Sequence, residues 1–86
     1  MATESVLVTG GAGFIGSHLV DVLINQGKRV IVFDNLSSGK LENIRQWIGR
    51  KNFKFIRGDL LNLDQVKKVV KECDVIFHLG QILRLG

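Results

Sequence analysis

The sequence predicts an α/β fold on one parallel sheet of four strands, with helices on both faces, and three observations point to it. Apolar, β-branched runs begin at roughly 24-residue intervals. A helical pattern lies between each pair of runs, which is the rhythm of consecutive right-handed strand-helix-strand units. The first and last runs, Val6-Leu7-Val8 and Val75-Ile76-Phe77-His78-Leu79, lack the polar alternation of a strand with one wet face, so they are expected to be covered on both sides.

The first run breaks at Thr9 into Gly10-Gly11-Ala12-Gly13-Phe14-Ile15-Gly16. Its glycines fit two registers, Gly11-x-Gly13-x-x-Gly16 and Gly10-x-x-Gly13-x-x-Gly16, and both have the form of a dinucleotide-binding turn. Glycine serves there as a tight turn, as bare backbone against a pyrophosphate, and as a close helix-to-sheet contact. The anion would be held by unpaired N–H groups at the helix start, where the macrodipole amounts to about half a positive charge. A tight turn without a ligand can use the same glycines, so a second feature is needed. It is Asp34, which ends the next strand 18 residues after Gly16; the ribose-binding acid of this motif falls about 20 residues on.

The first helix is expected over residues 14 to 26, with Ile15, Leu19, Val22 and Leu23 as its inward face and Gly27 as its left-handed stop. The second strand is expected over residues 29 to 33. The polar loop Asn35-Leu36-Ser37-Ser38-Gly39 follows, then a weaker helix over 41 to 48 with Leu41, Ile44 and Ile48 on one side, closed by Gly49. Residues 53 to 57 form an edge strand with one wet side, ending at Gly58-Asp59. Asn62 and Gln65 have the spacing of a capping box. Val66, Val69, Val70 and Cys73 then make a third helix with its lysines outward, and Asp74 leads into the fourth strand at 75 to 79.

Composition fits one packed domain spanning residues 1 to 86. Hydrophobic residues make up 45%, too many for a disordered chain. With no leader-like start or long apolar run, and a single cysteine, a soluble cytoplasmic protein is expected. Twelve Lys and Arg against eight acids give a net charge of +4, but the charges are dispersed without interleaved aromatics. We read a solvated surface and not a nucleic-acid face, and no membrane partner. His18, His78 and Cys73 have no metal-ligand spacing, so no metal is expected.

These residues together resemble the N-terminal half of a Rossmann domain, in particular that of the extended short-chain dehydrogenase/reductase family of NAD-dependent nucleotide-sugar epimerases and dehydratases. The likeness runs through Thr9-Gly10-Gly11-Ala12-Gly13-Phe14-Ile15-Gly16, Asp34-Asn35-Leu36-Ser37-Ser38-Gly39, Gly58-Asp59-Leu60 and Asp74-Val75-Ile76-Phe77-His78-Leu79, and the second of these leans toward UDP-glucose 4-epimerase-like members. It implies strand order 3-2-1-4 and NAD as cofactor. By the resemblance, Gly10, Gly13, Phe14, Ile15 and Gly16 would take the pyrophosphate. Asp34 would take the adenosine ribose, with Asn35, Ser38 and Gly39 supporting it, Asp59 and Leu60 would flank adenine, and Leu79 and Gly80 would lie under the nicotinamide. Asp34 would oppose the 2′-phosphate of NADP. Read alone, Asp34 is equally a strand-end turn residue and Asp59 a cap.

The family's general base is the tyrosine of Tyr-x-x-x-Lys, its pKa lowered by the lysine and the cofactor's charge. This chain has no tyrosine, so no catalytic residue is assigned, and the segment after Leu79 departs from the family pattern. The expectation is therefore a truncated NAD-binding module, with a UDP-sugar bound only in an intact family member. An active epimerase completed by another chain is one alternative. Another is a structural or designed fragment that binds cofactor weakly or not at all. Ending after a central strand would expose its edge, so a symmetric homodimer through the fourth strand is expected.

Overall fold

The computed structural model describes residues 3–78 and 81–84. In chain order the elements are β1 (Ser5–Thr9), α1 (Phe14–Asn25), β2 (Arg29–Asp34), two 3₁₀ turns (Leu41–Asn43 and Arg45–Trp47), β3 (Phe53–Arg57), α2 (Leu63–Val70), β4 (Val75–His78) and β5 (Gln81–Arg84). The sheet order is β3-β2-β1-β4-β5. Its first four strands are parallel in the expected order 3-2-1-4. Registers such as Val8 opposite Val32 and Asp34 opposite Arg57 bring the tips of β1, β2 and β3 to one edge.

The unbroken apolar runs are explained by a sheet covered twice. Alternate residues face opposite sides. Val6, Val8, Val30 and Val32 pack with Val20, Leu23, Ile24 and Ile44 on the α1 side. Leu7, Ile31 and Phe33 pack with Val69 and Cys73 on the α2 side. In β3, Phe53 is buried and Lys54 and Arg57 are exposed, but the two charges fall on opposite faces and Ile56, on the Lys54 face, packs against the α2-side core, so the strand has no wholly wet side.

Three further expectations are corrected. The buried face of α1 is Ser17, Val20, Leu23 and Ile24, whereas Ile15 is 82% and Val22 52% exposed. The helix carries apolar residues outside its buried face, Ile15 and Val22 among them, so apolar spacing alone does not single out that face. Its inward side is selected by the turn that launches it, and Ser17 tolerates burial because its hydroxyl donates to the Phe14 carbonyl (2.9 Å). Gly27 does take the left-handed stop, at φ 81°.

The expected helix over 41 to 48 is replaced by the two 3₁₀ turns. They meet at Ile44, whose φ of −123° lies outside the helical region. Ile44 is fully buried, while Leu41 and Ile48 are exposed. Trp47 Nε1 and Gln46 Nε2 both donate to Asp21 Oδ1 on α1 (2.7 and 3.0 Å). With Ile44 and Trp47 both drawn inward, a three-residue repeat suits the segment better than a four-residue one.

The third correction concerns the edge. β4 was expected to present unpaired backbone, but β5 folds back antiparallel along it, with Val75 opposite Arg84 and His78 opposite Gln81. The open β4 edge on which the expected homodimer rested is therefore filled from within the chain.

The capping box forms by half. Asn62 Oδ1 accepts from Gln65 N (3.2 Å), but the Gln65 side chain turns to Asp59 N and the Arg57 carbonyl. Cys73 is the small buried hydrophobe expected, and its Sγ donates to the Val69 carbonyl (3.3 Å). Burial first, then the neighbouring charges of Glu72 and Asp74, push its thiol from 9.0 up to about 11. A raised folded value means the protonated thiol is favoured in the fold. That stability is complete below pH 9.0 and is lost as pH rises through about 11. The Cys73 contribution, isolated as the difference in denaturant midpoint between the unaltered chain and Cys73→Ala, should shrink over that window. Thiol labelling at neutral pH should be slow until denaturant is added, and labelling as fast as that of a free thiol would contradict the burial.

Candidate functional site at the carboxyl edge of the sheet

The site is assembled from the turn after β1, the tip of β2 and the tip of β3. Gly10 leaves β1 at φ 70°, a conformation that costs an L-residue about 1–2 kcal/mol. Its N–H donates to the Phe33 carbonyl (3.0 Å), and its carbonyl accepts from Gly13 N (3.0 Å). A Cβ on Gly16 would stand 2.3 Å from that same carbonyl oxygen, so α1 approaches the turn so closely that only glycine fits. Gly11 is tight for another reason, since a Cβ there would press on Val32 at 2.7 Å. The three reasons for glycine thus fall on separate residues: Gly10 turns, Gly11 and Gly16 pack, and Gly13 leaves the helix start bare.

Gly13 is the N-cap of α1. It brings no side-chain cap, and the first turn of the helix holds no acid. Helix geometry gives the amides of Phe14, Ile15 and Gly16 no intrahelical acceptor. The positive end of the dipole is therefore uncompensated by the helix itself, which favours an anion there.

Asp34 joins this turn to the tip of β2. It is 8% exposed, with Oδ2 accepting from Ala12 N (3.0 Å) and Oδ1 from Leu36 N (2.8 Å). Leu36 is the one described non-glycine residue at positive φ, 62°, and the carboxylate holds it there. A carboxylate offers about four acceptor positions, so two bonds leave capacity for two more. Asp34 therefore belongs to the turn and also lines the neighbouring cavity.

That cavity, of about 430 Å³, is lined by Thr9, Gly10, Phe33, Asp34, Asn35, Ser37, Ser38, Gly58, Asp59 and Leu60. Of the expected residues it gathers Gly10, Asp34, Asn35, Ser38, Asp59 and Leu60. Gly39 lies beneath, where a Cβ would sit 2.7 Å from Ala12 C and 2.8 Å from Asp34 Oδ2. Gly13, Phe14, Ile15 and Gly16 begin α1 beside it, with the Phe14 ring exposed and tilted on His18 (centroids 4.8 Å apart). Asn35 and Asp59 each accept from a backbone amide two residues on (2.9 Å), which shapes the two loops. Leu79 and Gly80 lie outside the described residues.

Sequence reasoning assigned no site role to Thr9, Ala12, Phe33, Asn43 or Gly58, although Thr9, Ala12 and Gly58 stand inside the motifs that carry the family likeness. Thr9 Oγ1 lies 2.8 Å from His78 Nδ1 and 3.3 Å from the Phe77 carbonyl, joining the ends of β1 and β4. Gly58 admits the Phe33 ring, which a Cβ would meet at 2.5 Å. The position of Gly58 directly after a strand was a readable signal. The role of Asn43 had none, because it depends on a contact 31 positions away. Among the described residues, no group of three His, Cys, Asp or Glu could hold a metal ion. None of their helices is long and apolar enough to cross a membrane.

The sequence model of the NAD dependent epimerase/dehydratase family matches residues 6–84. The chain is similar to UDP-glucuronic acid decarboxylase 1 of Danio rerio, 46% identical over 77 residues, which is 90% of this chain and 17% of that protein. It superimposes on dTDP-glucose 4,6-dehydratase from Bacillus anthracis, solved in complex with NAD, with a TM-score of 0.81 and 37% identity over 86% of this chain and 26% of that one. UDP-glucose 4-epimerase from Thermotoga maritima, solved with UDP-glucose, gives a TM-score of 0.76 and 44% identity over 87% of this chain and 23% of that one. The chain thus spans about a fifth of the length of the curated relatives it matches.

The geometry of the turn yields a direct test. Gly16→Ala forces a Cβ onto backbone and should cost about 1–3 kcal/mol, lowering Tm by about 4–8 °C per kcal/mol in a domain of this size. Gly10→Ala meets no atom within 4 Å and should cost only the strain of its φ. A thermal melt of Gly16→Ala that overlays the unaltered chain would refute the close approach.

Proposed function

The chain belongs to the NAD dependent epimerase/dehydratase family, and from that membership we propose that it forms the ADP-binding part of the NAD site of a nucleotide-sugar enzyme. The observation that carries this reading is the 3.0 Å bond from Ala12 N to Asp34 Oδ2. It puts the uncapped start of α1 and the acid of β2 side by side on one edge, within reach of a single dinucleotide.

The residues suit the group. A pyrophosphate would meet the amides of Phe14, Ile15 and Gly16, with Gly13 offering no side chain in the way. The adenosine ribose would use the two remaining acceptor positions of Asp34, supported by Asn35 and Ser38, and adenine would lie between the loops carrying Asp59 and Leu60. Leu79 and Gly80 would serve the nicotinamide end. When bound, NAD supplies a hydride acceptor and donor. What these residues contribute is anchorage and orientation of its adenosine half. The Asp34 carboxylate also disfavours a 2′-phosphate by like charge, so NAD is the cofactor we assign over NADP.

Turnover is a different matter. We assign no catalytic base and no contact to a UDP-sugar among these residues. The relatives include both decarboxylases and epimerases, and the ADP-binding edge does not choose between them. Self-association, if it uses a sheet edge, falls to β3 or β5, the outer strands of the sheet. Sedimentation at high micromolar concentration tests it, and a monomer throughout would exclude that mode.

Isothermal titration with NAD, repeated on Gly13→Val and Asp34→Ala, is the decisive experiment. Each variant should weaken NAD binding at least tenfold, about 1.4 kcal/mol, and NADP should bind more weakly than NAD to the unaltered chain. No binding by the unaltered chain would favour a purely structural fragment. Unchanged affinity in both variants would place the ligand elsewhere, and equal NAD and NADP affinities would overturn the cofactor choice.

A further inference from the structure

Ala12 lies at the centre of the glycine turn and is fully buried. Its carbonyl accepts two bonds, from Lys40 N (3.0 Å) and from Asn43 Nδ2 (2.8 Å). Its N–H donates to Asp34 Oδ2 (3.0 Å). A peptide unit is planar, so fixing the Ala12 carbonyl also fixes the direction of the Gly13 N–H, which donates to the Gly10 carbonyl. Two successive peptide planes are thus held by side chains, Asp34 for the plane entering Ala12 and Asn43, alongside the Lys40 backbone amide, for the plane leaving it. Both come from outside the turn. The turn needs them, because Gly10, Gly11, Gly13 and Gly16 make it the stretch with the most backbone freedom to lose on ordering.

We propose that Asn43 is a positioning residue for pyrophosphate binding. Through the Ala12 carbonyl, which it shares with the Lys40 amide, it narrows the turn to the conformation that leaves the start of α1 open to an anion. This rests on the NAD reading above. Asn43 does not line the adenosine cavity, and its side chain is occupied with Ala12. Its effect on affinity is therefore one of preorganisation: with the turn already ordered, the anion does not have to order it on binding.

The test uses Asn43→Ala and Asn43→Leu, the second retaining bulk but no donor. In the ligand-free chain, amide hydrogen exchange followed by NMR should speed up at least tenfold at Ala12 and Gly13 in both variants, while the amides of β2 keep their protection. Unchanged exchange at Ala12 and Gly13 overturns the proposal whether or not NAD binds. Titration with ADP and with adenosine supplies the second readout. Both variants should lose at least fivefold in ADP affinity with adenosine affinity unaltered, whereas Asp34→Ala should weaken both ligands. A lower Tm with an unchanged ratio of ADP to adenosine affinity would reduce Asn43 to a structural anchor and overturn the proposal. If the unaltered chain binds no ADP, the NAD reading and the pyrophosphate role fall together, and the exchange data still decide whether Asn43 holds the turn.

Discussion

The carboxylate of Asp34 is the constraint on which the rest of the edge depends. It is buried at the tip of an interior strand, and a buried charge without partners is expensive. Here the compensation comes from two backbone amides, Ala12 on one side and Leu36 on the other. The same two bonds that make the charge tolerable fix the two loops that form the cavity. The turn after β1 cannot move without abandoning the acid, and the loop after β2 keeps a strained leucine because the acid holds it. Burial and the geometry of two loops therefore converge on one side chain.

The glycines show a complementary economy. They are interchangeable in a motif but not in the molecule. Gly10 answers to a backbone angle, Gly16 to the carbonyl of Gly10, Gly11 to Val32, Gly39 to Ala12 and Asp34, and Gly58 to Phe33. Several of these contacts are between elements far apart in sequence. A pattern search sees glycines at fixed spacing, whereas the fold uses each one to let a particular pair of segments approach.

What was legible in the sequence follows from this. Strand-helix alternation, the parallel order and the glycine turn with its acid are local or periodic, and residues such as Val6, Val30 and Asp34 declare them. The facing of α1 was legible in part, since Leu19 and Leu23 pack inward as expected, whereas Ile15 and Val22, as apolar as Val20 and Ile24, stay exposed. The 41 to 48 segment was misjudged because Ile44, Trp47 and Asp21 settle it through tertiary contacts that override helical spacing. No strand is expected from the sequence after Leu79, yet residues 81 to 84 pair antiparallel with β4. In the site, Asp59 and Asn35 could be named through the family resemblance, but Asn43 could not, since its partner is brought to it by the fold.

The seam between β1 and β4 has a kinetic consequence. Ser5 and Asp74 exchange hydrogen bonds, Ser5 N to Asp74 Oδ2 (2.9 Å) and Asp74 N to Ser5 O (2.8 Å), across 69 positions of chain. The neighbouring β1–β2 and β4–β5 pairings close much shorter spans. Non-local pairings demand the greatest loss of chain entropy before they return any contact energy. The order of assembly is thereby biased: the β1–α1–β2 unit, with its turn and acid, can consolidate early, and the β1–β4 seam, which spans most of the chain, is expected to close later. The glycine turn and its acid would then be in place before the sheet is complete.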